Sequence, residues 1–245
     1  MPEHGESSKL HYMTSGVSPH TQARQLPPYS SAIRISVGVS LMVAGVLNGG
    51  AQYMGHLIAG AGYDQDFGIP WGAANAGWYQ TEQFALLLSS PFLLIGFLGL
   101  GQVSRWSAPR ITAIATVLVV WGMWGFHNIL AIGYATAAVA PGAIGVTAAV
   151  KLTEEYGDHP GVLIGALIPH LVGSFLGVLL LSLACWRSGA FPKLPLVLLI
   201  GFLLWDFLLP PVGPLEAHVL LLISLAWLGV HVIGMPHSTW LGSRV

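Results

Sequence analysis

The chain is poor in charge and in cysteine, and each shortage excludes a class of protein. Charged residues make up 8% of 245 residues, nine basic against ten acidic, so no basic surface is available for nucleic acid. A single cysteine, Cys185, excludes an internal disulfide and a cysteine-based zinc or iron–sulfur site. Hydrophobic residues reach 54%, more apolar surface than a water-facing domain can hide. The composition therefore predicts an integral membrane protein whose main partner is the lipid bilayer.

Six apolar segments approach the ~20 residues that a helix needs to cross a hydrocarbon core about 30 Å thick. They are residues 35–58, 82–103, 111–138, 162–186, 195–209 and 215–233. Gly173 and Gly177 in the fourth are spaced to let another helix approach closely. Pro210 and Pro211 cut the fifth short, so it either thins the bilayer or re-enters, and re-entry would leave five crossings. The pattern predicts an all-α, polytopic six-helix bundle.

The basic residues favour one orientation, because cytoplasmic loops carry an excess of Lys and Arg. With six crossings and both termini in the cytoplasm, only Lys151 lies on the outer side. The basic residues on the cytoplasmic side are then Lys9, Arg24, Arg34, Arg105, Arg110, Arg187, Lys193 and Arg244. Five crossings would move Arg244 outside. Six crossings fit better, and they predict a multi-pass protein of the cell membrane.

The predicted domains are a disordered cytoplasmic tail (1–31), a six-helix transmembrane domain (32–236) and a short cytoplasmic tail (237–245). The first thirty residues are rich in Ser, His, Pro and Gln and lack the apolar run of a signal peptide. Two outer connections are long. Residues 59–81 carry Trp71 and Trp78, which favour the headgroup interface, and residues 139–161 predict a solvated loop with about one helical turn.

Polar residues at membrane depth are the candidates for function, because a charge at the centre of a membrane helix costs about 2.5 to 3.5 kcal/mol on insertion scales. Asn48, Gln52 and His56 recur every four residues, which places them on one face of the first helix. That face is expected to point into the bundle. There it either hydrogen-bonds to other helices or lines a binding site.

Histidines occur in the third and fourth predicted helices as well. Trp124 and Asn128 share a face of the third helix, and His127 lies beside it. His170 follows a proline in the fourth helix. Each histidine is either a hydrogen-bonded residue of the core or a functional group, and the spacing alone does not decide between them.

Three ionisable residues lie on either side of the rigid turn 210–214, which brings Asp206, Glu216 and His218 to the same outer depth. Residues two apart do not share a helical face, so at most one of Glu216 and His218 is expected to point toward Asp206. Glu216 also suits the start of a helix, where the dipole favours an acid. Glu82, at the start of the second segment, lies at a similar depth.

This outer cluster predicts a membrane-embedded enzyme that acts on a lipophilic small molecule by acid/base chemistry, of the isomerase, cyclase or hydrolase type. A carboxylic acid in an apolar pocket favours its protonated form and can donate a proton, while a nearby His can accept one. Asp206 or Glu82 is then the acid, and His127 or His56 the base. The predicted substrate-binding residues are Asn48, Gln52, Trp124, Asn128, Glu216 and His218.

Other functions stay open. Paired histidines could hold haem or a metal, but no HxxxH or CxxCH spacing occurs, so no metal ligand and no cofactor are assigned. A small transporter could relay protons through Asp206, yet the inner half has almost no ionisable group apart from His231, and a transport path should be polar on both sides of its gate. A non-catalytic accessory protein would use the same polar groups for packing or assembly.

Overall fold

The computed structural model describes residues 29–60, 65–209 and 216–242, which are helical almost throughout and contain no β-strand. The helices are α1 (Ser30–Ala59), α2 (Ile69–Ala74), α3 (Ala76–Ser104), α4 (Pro109–Ile144), α5 (Val146–Asp158), α6 (Pro160–Ser188), α7 (Lys193–Leu208), α8 (His218–Gly234) and α9 (His237–Trp240). By length and composition, α1, α3, α4 and α6 are able to cross a membrane. The prediction of an all-α protein is confirmed for the described residues.

Six of these helices form a closed ring. Around it α1 packs against α3, α3 against α4, α4 against α6, α6 against α7, α7 against α8, and α8 against α1, while α3 also contacts α6 across the ring. The helices α7 and α8 have 16 and 17 residues. At 1.5 Å per residue they are about 24 to 26 Å long, shorter than the other four. The helix order determines which polar residues meet.

One half of the ring, the half that contains the C-terminal ends of α3, α6 and α8, is filled with apolar side chains. Leu41, Leu100, Leu181, Leu196 and Leu228 are buried there, one from each of five helices. In a membrane, such side chains stabilise the bundle mainly through close van der Waals contact, because lipid tails are as apolar as leucine. This half of the bundle is therefore closed.

The helices α4 and α6 approach closely where glycines face each other. A Cβ added to Gly173 would lie 2.6 Å from the backbone N of Gly122, and one added to Gly177 would lie 2.7 Å from the backbone N of Val119. Side chains do not tolerate contacts that short, so the two backbones touch because these positions are glycine. The predicted packing function of Gly173 and Gly177 is confirmed.

A small cap covers the other end of the bundle, where α1, α4 and α7 end. It consists of the 3₁₀ turn Gln65–Gly68, α2 and α5. Ile69, Tyr79 and Ala149 are buried together beneath it, and the Tyr79 hydroxyl donates a hydrogen bond to the Phe67 carbonyl at 3.1 Å. We call this end of the bundle the cap end.

The prediction of a solvated loop at 139–161 is wrong, since most of this connection is α5. Val146, Ala149 and Val150 recur at helical spacing and pack into the cap. The acidic residues occupy the other face of the same helix. The many glycines and the acidic run concealed this amphipathic pattern.

Some predicted features lie outside the described residues. They are residues 1–28 of the predicted tail 1–31, the basic residues Lys9, Arg24 and Arg244, and the turn 210–214. The last residues of the predicted tail, from Ser30 onward, instead belong to α1. Within the predicted C-terminal tail, His237–Trp240 forms α9.

Candidate functional site

A cavity of about 300 Å³, which we call the central cavity, lies inside the ring. All six ring helices contribute to its wall. Much of the wall is aromatic, with Phe97 of α3, Phe126 of α4, and Phe202 and Phe207 of α7. The polar side chains in the wall are Asn48, Gln52, His170, Ser174, Asp206 and His218. All six lie in the part of their helix nearer the cap. A mostly apolar cavity with a few converging polar groups is the usual form of a small-molecule site.

A connected group of three ionisable side chains lies at the cap end of this central cavity. It consists of Asp206, Glu216 and His218, and we call it the Asp206 group. His218 Nδ1 donates a hydrogen bond to Glu216 Oε1, and the His218 backbone N–H donates to Glu216 Oε2 at 2.8 Å. Asp206 Oδ1 lies 3.9 Å from the same ring nitrogen. The expectation that only one of Glu216 and His218 points toward Asp206 is wrong. Because Glu216 precedes the first residue of α8, helical spacing does not constrain it.

The Glu216 carboxylate determines which nitrogen of His218 carries the proton. A carboxylate only accepts hydrogen bonds, so Nδ1 must hold the hydrogen, and the lone pair of the neutral ring is then on Nε2. Burial opposes ionisation of Glu216, but the hydrogen bonds from the His218 ring and backbone and the charge of that ring lower the pKa of the carboxyl below its usual value. Glu216 therefore suits the task of orienting His218.

Asp206 differs from its two neighbours in exposure. The side chains of Glu216 and His218 are about 90% buried, whereas that of Asp206 is 30% exposed. Asp206 lines both the central cavity and a smaller cavity of about 70 Å³, which it shares with His56 and Glu216. Its carboxyl group is thus accessible to a molecule in the central cavity, while Glu216 stays behind His218.

His170 is a second histidine of the cavity wall. Its ring stacks on Phe126 with centroids 4.9 Å apart and contacts Phe207 at 5.5 Å. Its Nδ1 is hydrogen-bonded to Ser174 Oγ at 3.2 Å. The ring is therefore fixed between two aromatic side chains on the wall opposite α8 and α1.

Wide π-helical turns place several of the polar side chains. Asn48 belongs to the π segment Gly45–Gly50 of α1, and His170 and Ser174 belong to Pro169–Ser174 of α6. A π turn holds an extra residue and shifts the face on which later side chains point, and such turns occur often at functional sites. In α6 a physical cause is visible, because Pro169 has no N–H to continue the regular ladder.

Three residues predicted as catalytic lie away from the central cavity. Glu82 is buried on α3 beside a separate apolar groove between α1 and α3. His127 is exposed on α4 and hydrogen-bonds through Nδ1 to Ser90 Oγ at 2.8 Å. His56 lines the small neighbouring cavity, and its Nδ1 is hydrogen-bonded to the carbonyl of Gln52 one turn earlier at 3.0 Å. Of these three, only His56 is near the Asp206 group.

The predicted substrate-binding residues divide into two groups. Asn48, Gln52 and His218 line the central cavity, and Glu216 supports His218. Trp124 and Asn128 share a face of α4 as expected, but that face points away from the cavity. Trp124 is 63% exposed, and the Asn128 amide donates to the Gly165 carbonyl of α6 at 3.2 Å. The sequence interpretation did not assign His170 or Ser174 to the site, although the Pro-His pair was visible.

The Asp206 group also has the composition of a metal site. One ligand atom from each of Asp206, Glu216 and His218 lies within 4.8 Å of the others. Carboxylate oxygen and imidazole nitrogen are common ligands of zinc, manganese and iron. His56 lines the same small cavity as Asp206 and Glu216.

Comparisons with known proteins give no relative, since no family model, curated protein or solved structure matches the chain. The cavity and its polar end are therefore the basis for assigning a function.

Proposed function

We propose that the protein is an integral membrane protein in which all six ring helices cross the bilayer, with both termini in the cytoplasm. Four helices are able to cross by length and composition, and α7 and α8 pack beside them as members of the same ring. A short segment is accommodated when the bilayer thins locally. In this orientation the cap lies on the outer surface. A reporter fused to the C-terminus should be cytoplasmic, and a periplasmic reading would contradict the six crossings.

We further propose that the central cavity is the active site of a membrane-embedded enzyme that acts on a lipophilic small molecule by acid/base chemistry. The observation that carries this proposal is the pairing of His218 and Asp206 at one end of a mostly apolar cavity. A general base must lie within reach of the proton that it removes, and its lone pair must be free. Glu216 leaves that lone pair on His218 Nε2.

The reaction that fits best is a proton transfer on each side of one substrate, as in a double-bond isomerisation. Asp206, in its protonated form, first gives a proton to one carbon of a double bond, and His218 Nε2 then takes a proton from a carbon next to that bond. A proton that passes from His218 back to Asp206 restores both groups. The number of protons on the substrate is unchanged. The ring faces of Phe126, Phe202 and Phe207 would stabilise positive charge that develops in between.

The closed half of the bundle favours an enzyme over a transporter. The central cavity ends near Phe97 and Leu199, and the buried leucines Leu41, Leu100 and Leu196 fill the space beyond. A through path needs polar groups on both sides of a gate, and the cavity offers them on one side. A site that a molecule enters and leaves from the same side suits catalysis.

The experiment compares the wild-type protein with Asp206→Asn and His218→Gln after incubation with a membrane lipid extract. Liquid chromatography, which separates isomers of equal mass, is coupled to mass spectrometry and follows which species are consumed and formed. We expect a product that both variants form more slowly, by about 10²-fold or more, the range for loss of a general acid or base. Asp158→Asn, an exposed acid of α5, is the matched control and should retain the reaction. Product formation at wild-type rate by Asp206→Asn would overturn the assignment.

A metal-binding redox protein is the second candidate, because Asp206, Glu216 and His218 place three ligand atoms within 4.8 Å of one another. Its test is an absorption spectrum of the purified protein in oxidised and reduced form, with elemental analysis for Fe, Cu and Zn. Metal at one equivalent, lost in His218→Gln, would support this candidate. Metal that persists in this variant would place it elsewhere.

A further inference from the structure

A second cavity, of about 480 Å³, lies directly beneath the cap. Its wall is formed by α3, α4, α5 and α6 together with Phe67 of the cap turn. We call it the cap chamber. It is larger in volume than the central cavity, and its wall includes hydroxyl and amide groups from Tyr156, Thr153 and Gln83 among apolar side chains. Such a mixed wall suits an amphipathic guest that comes from the membrane interface.

The two cavities meet at one side chain. Ile129 of α4 belongs to the wall of the central cavity and also to the wall of the cap chamber. Next to it in the chain, Asn128 donates its hydrogen bond to the Gly165 carbonyl and so ties α4 to α6 at the same level. Leu130, the following residue, again faces the central cavity. The partition between the cavities is therefore thin and is centred on Ile129.

The helices beside this partition depart from regular α-helical geometry. π segments occur at Tyr134–Val139 in α4 and at Leu163–Leu167 in α6. At the opposite side of the chamber, Phe67 is 54% exposed and has a φ of 61°, a rare conformation for a bulky residue. The Tyr79 hydroxyl holds it there through the Phe67 carbonyl. The chamber thus has an exposed rim of Phe67 and Tyr156 at the surface and Ile129 at its inner end.

We propose that the cap chamber is the entrance through which lipophilic molecules reach the central cavity, and that Ile129 controls the passage; this proposal deepens the proposed function and rests on it. The molecule enters between the rim residues at the membrane interface and passes Ile129. It then reaches the wall that carries His170, Ser174 and the Asp206 group. The ligand class is a compact lipophilic molecule with one polar group, since about 300 Å³ is at the low end for ligand pockets.

Passage can be measured without knowing the substrate. N-phenylmaleimide, a small lipophilic reagent, alkylates a cysteine placed at Ser174→Cys in the central cavity or at Thr153→Cys in the cap chamber. The protein is kept in lipid nanodiscs, and peptide mass mapping separates these positions from the buried Cys185. We expect Ile129→Trp to slow alkylation at position 174 about tenfold or more, which corresponds to about 1.4 kcal/mol of added barrier. Alkylation at position 153 should keep its rate.

Two further variants make the result decisive. Ile129→Ala should speed alkylation at position 174, so the proposal is tested even where the tryptophan variant fails to fold. Ile114→Trp, at a 57% exposed position of the same helix, is the matched control and should change neither rate. Equal rates at position 174 in the wild type, Ile129→Trp and Ile129→Ala would overturn the proposal. A chain that passes this test but shows no Asp206-dependent reaction would have the entrance without the proposed chemistry.

Discussion

Replacing Glu216 by glutamine tests how His218 is held, because the change keeps the shape and removes the charge. In the wild type, one carboxylate oxygen accepts from the His218 ring and the other from its backbone N–H. Glutamine has a single oxygen. If that oxygen keeps the backbone bond, the amide NH₂ faces Nδ1 and donates to it, which moves the ring hydrogen to Nε2. The substitution is therefore expected to switch the tautomer of His218.

The size of the effect follows from the two hydrogen bonds. Bonds to a charged group contribute about 1.5 to 3 kcal/mol each and neutral ones about 0.5 to 1.5, so each bond weakens by roughly 1 to 1.5 kcal/mol. For two bonds, the free energy of unfolding should fall by about 2 to 3 kcal/mol. Turnover should fall further, by about 10²-fold or more, because a protonated Nε2 is no longer a base.

The tautomer is read by ¹⁵N NMR of histidine-labelled protein in detergent, with His218→Gln used to assign the signal. Denaturation in mixed micelles gives the free energy of unfolding. Glu154→Gln, on the exposed face of α5, is the control and should change neither quantity. The opposite result would be a Glu216→Gln variant in which His218 keeps its hydrogen on Nδ1 and the protein keeps its free energy of unfolding. Glu216 would then not orient the His218 ring, and the assignment of His218 as the base would lose its support.

Three further predictions concern the frame around the site. Gly122→Ala should lower the free energy of unfolding by about 1 to 3 kcal/mol, because the new Cβ overlaps the α6 backbone, while Gly157→Ala, where nothing lies within 4 Å, should not destabilise. Ser224→Ala should cost about 1 kcal/mol through the lost bond to a carbonyl of α7, measured in the same mixed micelles. His170→Phe keeps a stacking ring and should retain stability within about 1 kcal/mol, but it should raise the KM of any substrate that His170 contacts.

The helices were predictable because their signal is local. Each predicted segment coincides with an observed helix, and glycines at 173 and 177 already indicated a close contact. The helix order around the ring is not local, since it depends on packing between segments far apart in the chain. Trp124 shows the difference. The sequence correctly predicts that it shares a face with Asn128, but it does not indicate that the Trp124 side chain points outward.

The site was predictable only in part, and for a related reason. Asp206, Asn48 and Gln52 were recognised as polar residues at membrane depth, and the structure brings them into one cavity. The contact between Glu216 and His218 was missed because it depends on where α8 begins. A start at residue 215 would separate the two side chains by helical spacing, whereas the observed start at His218 frees Glu216 to fold back on it.

The two candidate chemistries make opposite demands on one atom, His218 Nδ1. As part of an acid/base pair it must carry the hydrogen that Glu216 accepts. For an ion held by all three residues, Nδ1 is the ring nitrogen that faces both carboxylates, so it must lose that hydrogen, and Glu216 must then turn an oxygen toward the ion. The Glu216→Gln variant therefore distinguishes the acid/base candidate from the metal-binding candidate. In the acid/base protein it switches the tautomer with no metal present, and in the metalloprotein it removes an anionic ligand and lowers the metal content. The hydrogen bond present between Glu216 and His218 favours the first, because the ring is already in the form that a general base requires.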